Sequence, residues 1–317
     1  MKLYVTTSLL LAVLSAGKVS AFTSASRSSL LSPAPLTSYQ HSRVHETTSS
    51  PQCFQRLRPE SSASPLLAQA TDDNGDEGGF FSDLTINPGY AAFWLAFVSV
   101  ATYMSATEPS GASQALIESF VADPLHPGFG SSLFESVWNC IGLVGLPLAT
   151  VIMPGAKGQK LNPTPFLIGS SIAGYGSLGP FMMTRKPVPS VVNVEEDLGW
   201  FTKNVLENKI FNWALFVALA NAYVISGAAE SLLANPIGTF EEFGSMISGS
   251  ALGTATTVDF TILCLVGASL VPEDLKRRGL DADYNGKVYA IAASTLLIPA
   301  AGLALYSALR PSLIDGK

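Results

Sequence analysis

The run TATTVDFTILCLVGASLVPEDLKRR, residues 254–278, sets one carboxylate, Asp259, inside a segment otherwise suited to a lipid bilayer. A helix needs about 20 residues to cross roughly 30 Å of hydrocarbon. Begun after Asp259, the run is too short. Begun near Ala251 it is long enough, and Asp259 then lies inside the membrane or at its edge. A soluble core helix, a membrane boundary and a functional site each account for such a residue differently.

Composition favours the membrane. Only 13% of the 317 residues are charged, against about 25% in ordinary soluble domains, and mean hydropathy is +0.34. Six apolar runs, roughly 90–106, 132–153, 164–183, 210–229, 254–271 and 288–309, alternate with polar loops. None shows strand alternation, which argues against a barrel. The pattern predicts an all-α polytopic membrane bundle of about six spans over 88–313. Two loops predict interfacial helices. One carries Thr239 and Glu242 at capping-box spacing; the other carries Leu116, Ile117 and Phe120 ahead of Pro124.

The first segment has Lys2, an apolar core over 3–16 and the small-residue site Val19-Ser20-Ala21, which reads as a signal peptide over 1–21. Residues 22–70 are rich in Ser, Thr and Arg and poor in acids, as in a transit peptide. The two in series, with Phe22 after the cut, resemble the bipartite plastid presequence of diatoms and related secondary algae. That resemblance implies a plastid membrane, thylakoid before envelope. Residues 71–87 form an acidic leader. Beyond residue 70 the chain has 12 basic and 22 acidic residues, a net of −10, so no basic footprint marks a nucleic-acid partner.

The membrane region reads as a duplication. Trp94 heads WLAFVSVA and Trp213 heads WALFVALA; ESFVADP at 118–124 matches ESLLANP at 230–236. Pro154 and Pro272 close the second and fifth runs, and Lys186-Pro187 and Arg310-Pro311 the third and sixth. The halves are 88–187 and 210–311. Three spans per half is an odd number, so the second copy would enter from the other side, giving a 3+3 inverted repeat. Asn139 and Asp259 then lie at similar depths, with Glu135 on the face of Asn139. These three are the candidate cavity residues, because an intramembrane ionisable group is a site hypothesis by default. Asp259 could equally cap a helix or sit among headgroups, and Asn139 could bond a neighbouring helix. Asn212 and Asn221 fall on opposite faces. Small-residue stripes at Gly169, Ala173, Ser177 and at Ala214, Ala218, Ala222, Ser226 predict close helix packing. Pro147 and Pro299 predict bends. On six spans the basic residues divide unequally, with the larger share on the stromal side.

Several classes are excluded. His126 is the one histidine beyond the presequence, too few for a di-metal oxidase or a bis-His haem. No phosphate loop, dinucleotide fingerprint or nucleophile elbow is present. Cys53 falls in the presequence, and Cys140 and Cys264 read as small buried hydrophobes. No metal or cofactor is predicted; bound pigment or lipid stays open, and no catalytic residue is assigned.

Residues 115–313 resemble a chloroplast and cyanobacterial family of multi-span membrane proteins without assigned function. The carrying residues are DP.HP at 123–127, WN..G at 138–142, PF at 165–166, RKP at 185–187, DFT.L at 259–263 and RPSL at 310–313. One helix and its following loop also resemble the neoxanthin-synthase type of plastid membrane protein. The leading expectation is a non-catalytic protein supporting a thylakoid complex. The alternatives are a carrier or channel for a small solute or ion, and an enzyme acting on carotenoid or lipid.

Overall fold

The computed structural model describes residues 85–108, 111–124, 126–280 and 285–313, all within the compact unit Asn74–Lys317. The expected signal peptide, transit segment, Cys53 and most of the acidic leader lie outside the described residues. As the sequence predicts, the described residues are helical and include no strand. The elements are α1 (Pro88–Thr107), α2 (Ala112–Ala122), α3 (Ser132–Ile141), α4 (Gly145–Ile152), α5 (Pro163–Thr184), α6 (Val194–Asp197), α7 (Lys209–Ile225), α8 (Ala228–Ala234), α9 (Pro236–Gly249), α10 (Ala251–Arg277), α11 (Asn285–Ser294) and α12 (Ala301–Leu309). A 3-10 turn at Met153–Gly155 extends α4, and a π turn at Thr202–Leu206 precedes α7.

Two of these helices, α1 and α10, are long and apolar enough to cross a membrane. The count rises to four if α3 with α4, bent by 46°, and α7 with α8, bent by 58°, are each one span. Pro147 explains the first bend. It has no N–H to give to Leu143, whose carbonyl instead accepts from Leu146 across a tight turn, 3.0 Å.

The third and sixth runs are where the six-span expectation needs correction. In α5, Gly174 has φ 54° and ψ −136°, and the chain folds back on itself there. The rings of Phe166 and Phe181 are 5.9 Å apart, whereas fifteen residues of straight helix would separate them by about 22 Å. Ser177 donates to the Phe166 carbonyl across the hairpin, 3.3 Å. The Gly169–Ser177 stripe is therefore interrupted: Gly169 meets Ser177 from the opposite limb. The sixth run breaks over 295–300, with Ala300 at φ 61°. Gly302 abuts the Thr295 backbone so closely that a side chain there would overlap it. From that break α12 runs parallel to α10, with Leu303 against Gly267 and the Tyr306 hydroxyl donating to Asp274, 2.7 Å. The limbs splay, α11 packing on α10 and α12 on α7.

Both hairpins start and finish at one end of the bundle, which also holds the arginines. Arg185 follows the first hairpin and binds Glu273; Arg310 follows the second and binds Asp274. Each half thus traverses the bundle twice, an even number, and the second half starts where the first did. The N–H of Asn87, preceding α1, donates to the Met183 carbonyl, 2.7 Å, and Lys209, opening α7, reaches the Arg310 carbonyl. The inverted sense of the repeat is corrected by this: the halves run in the same direction.

Helices at matching positions of segments 88–187 and 210–311 are capped alike. Asn87 and Asn208 each accept two backbone N–H groups at the start of α1 and α7. Asp123 accepts from the His126 N–H and Asn235 from the Gly238 N–H, both at 3.1 Å. Ser131 caps α3 and Ser250 caps α10. The expected capping box at Thr239 and Glu242 does not form, because Asn235 takes the cap and the Thr239 hydroxyl bonds back to the Asn235 carbonyl.

The charge pattern follows the corrected path. Every Lys and Arg of residues 85–313 sits at the arginine end or on the chain beside it, and the opposite end carries Glu108, Glu118, Asp123, Glu135, Glu230, Glu241 and Glu242. The two sides of a six-span bundle would each have received some of the basic residues.

Candidate functional site

Asp259 lies eight residues into α10, about 12 Å along the helix. Its side chain is buried at 5% exposure. Oδ1 accepts the Tyr175 backbone N–H at 2.6 Å. Tyr175 opens the return limb of the first hairpin, so Asp259 satisfies a donor that the break has orphaned. Gly174 is required twice over: its φ is left-handed, and any Cβ would coincide with the Asp259 carboxylate. The same tip is clamped from α1, where Trp94 Nε1 donates to the Gly176 carbonyl, 3.3 Å, and the Tyr90 carbonyl accepts from the Tyr175 hydroxyl, 3.1 Å.

The second tip is held without charge. The Tyr223 hydroxyl of α7 donates to the Pro299 carbonyl, 3.0 Å, and the Cys264 sulfur accepts from the Ala300 N–H. Thus α1 reaches a carbonyl of the first hairpin through Trp94, and α7 one of the second through Tyr223. The position corresponding to Asp259 in the first half is Cys140, by the spacing that relates Trp94 to Trp213 and Ser131 to Ser250.

The other two candidates do not join Asp259. The side chain of half-buried Asn139 makes no hydrogen bond among the described residues, and none links it to Asp259. Glu135, in the first turn of α3, accepts the Phe129 N–H, 3.1 Å, and pins the preceding loop. An open groove of about 560 Å³ lies nearby at the acidic end, lined by Leu116, Phe129, Glu241, Glu242 and Met246. It is an open surface groove between α2 and α9, not an enclosed chamber. Asn212 is packing glue: its amide donates to the Leu206 and Asn208 carbonyls, both 2.9 Å.

The largest polar constellation was not read from the sequence. Four buried arginines meet three carboxylates at the arginine end. Arg185 binds Glu273 through two contacts, 2.9 and 2.7 Å, and Arg277 adds a third at 2.5 Å. Arg278 binds Glu207 through two contacts, 3.0 and 2.9 Å, and Asp274 at 3.0 Å. Arg310 bridges Asp274 and Glu207. Burial alone would lower the Arg278 pKa, but Asp274 and Glu207 hold it above the usual range. Other guanidinium donors go to the Val151, Val188, Thr150 and Pro311 carbonyls, while the buried Arg185 Nε has no partner among the described residues. The network ties α4, α10, α12 and the α7 entry together and leaves little capacity for a ligand. Among the described residues, no group of His, Cys, Asp and Glu could hold a metal ion.

No family model, curated protein or solved structure matches this chain, so its functional reading rests on the geometry above.

Proposed function

We propose that this chain is an integral membrane protein of four crossings and two re-entrant hairpins, and that it conducts or carries a small solute or ion. The carrying observation is the pair of helical hairpins that stop inside the bundle. A broken helix bares backbone donors and acceptors, which hydrocarbon cannot satisfy. Breaks at membrane depth persist only where protein buries them or where they line a watery path. Having two, in equivalent places of duplicated halves, fits a moving gate better than inert packing. Parallel repeats about an axis along the membrane normal are one of the recurring transporter plans.

Three features support the membrane setting. Leu95, Ile210 and Leu297 are 58%, 80% and 81% exposed, as expected of lipid-facing residues. The two hairpins leave the basic residues on one side, which the positive-inside rule assigns to the stroma if the presequence delivers the chain to the thylakoid. Tyr103, 66% exposed near the end of α1, also suits an interface.

The test is flux. The purified chain in sealed vesicles, assayed against a panel of ions and small neutral and anionic solutes, conducts at least one of them, and Asp259→Asn changes that flux by tenfold or more. Absence of flux across the panel sinks the proposal. A second reading, a non-catalytic support for a thylakoid complex, is favoured by the dense arginine–carboxylate network, which resembles a rigid strut. Co-migration with a large complex on native gels, without flux, would support it.

A further inference from the structure

We infer that Asp259 is a proton-binding site and that its proton keeps the first hairpin docked. This deepens the passage reading by naming the regulating ion, and it is tested separately from flux.

The surroundings of Asp259 carry the argument. It is buried, yet no lysine, arginine or histidine is recorded within ion-pair distance among the described residues. α1, α4 and α5 contain no charged residue at all. The one acid of α3, Glu135, is engaged with Phe129, and Glu241 and Glu242 of α9 lie on the open groove. The ionisable groups that face Asp259 are Tyr175 of α5 and Cys264 of α10. The Tyr175 hydroxyl is turned away to the Tyr90 carbonyl. What Asp259 meets is one backbone N–H.

A carboxylate ion in such a place loses its hydration and gains no countercharge, so the group keeps its proton. The return limb points its N-terminus at Asp259 and favours the ion, but a helix dipole is weaker than the burial penalty of a bare charge. In the docked state Oδ1 accepts from Tyr175 while Oδ2 is free to carry the proton. When the proton leaves, the charge has to be hydrated. Water reaches it most easily by parting the hairpin tip from α10, because Gly174 presents no side chain there. The second tip has Tyr223 and Cys264 instead of a carboxylate, so it does not share this response.

Infrared difference spectroscopy on the full chain in vesicles tests the proton directly. At neutral pH the wild type carries a protonated-carboxyl C=O stretch that Asp259→Asn lacks, and the band disappears at alkaline pH. Absence of that difference band at neutral pH overturns the inference. Hydrogen exchange tests the latch. Beyond the intrinsic base-catalysed rise, peptides spanning 172–178 exchange at least tenfold faster at alkaline than at neutral pH. Peptides spanning 297–303 and the Asp259→Asn protein show no such excess. A band with no excess exchange, or equal excess at both tips, refutes the latch. A band and excess exchange without flux would leave this inference standing and remove the passage reading; flux without the band would do the reverse.

Discussion

The two hairpins have the same position, the same direction of entry and the same role for the first helix of the half. They differ in what holds the tip. The first turns on Gly174 against the Asp259 carboxylate; the second turns on Ala300 against a phenol and a thiol. The two segments share a backbone plan and differ in tip chemistry. One hairpin can respond to a proton, and the other is a fixed counterpart.

The largest expected effect lies outside both tips and would unmake the frame they share. Asp274→Ala leaves Arg278 and Arg310 short of their common carboxylate, a buried uncompensated charge costing about 3–5 kcal/mol. Thermal unfolding in detergent measures it, and a change below about 1 kcal/mol would show that the network does not brace the hairpins.

Glycine and alanine exchange divides the tips. Gly174→Ala forces a side chain onto Asp259 in a left-handed conformation and should cost about 2–4 kcal/mol. The opposite exchange, Ala300→Gly, relieves the positive φ and should be neutral or stabilising by up to about 1 kcal/mol. If both destabilise equally, the tips do not differ as described. Tyr223→Phe removes a neutral hydrogen bond to the Pro299 carbonyl, which keeps the Ala301 N–H, and should cost about 0.5–1.5 kcal/mol with no dependence on pH. Lys157→Ala breaks a solvent-facing pair with Asp197 and should leave the melting temperature unchanged.

How legible this was in the sequence depends on what each signal measures. Hydropathy located the helices, because apolar content alone places them. A repeat was legible as an expectation from Trp94 and Trp213, ESFVADP and ESLLANP, and the two segments carry similar Asn, Asx and Ser caps. Direction was not, since it turns on whether 22 apolar residues go straight or fold, and mean hydropathy is blind to one glycine's φ. A signal did exist. Lys157 and Lys160 precede the third run and Arg185 and Lys186 follow it, so a straight span would put basic clusters on both sides. Asp259 stood out as a carboxylate in an apolar run, and the structure buries it against the Tyr175 N–H with no hydrogen bond to Asn139. Asn139 was paired with it through an alignment anchored on a distant proline, whereas the cap spacing assigns Cys140. The arginine network was hidden because Arg185 and Glu273 are far apart in sequence and only the fold joins them.

The central claim is that the third run enters and leaves on one side. Single cysteines at Lys160 and Lys203 bracket that run, and one at Leu233 marks the opposite end. With the native cysteines replaced and an impermeant maleimide outside sealed vesicles, Lys160→Cys and Lys203→Cys should label from the same side and Leu233→Cys from the other. Labelling of Lys160→Cys and Lys203→Cys from opposite sides would mean that α5 crosses the membrane, and the account would fail.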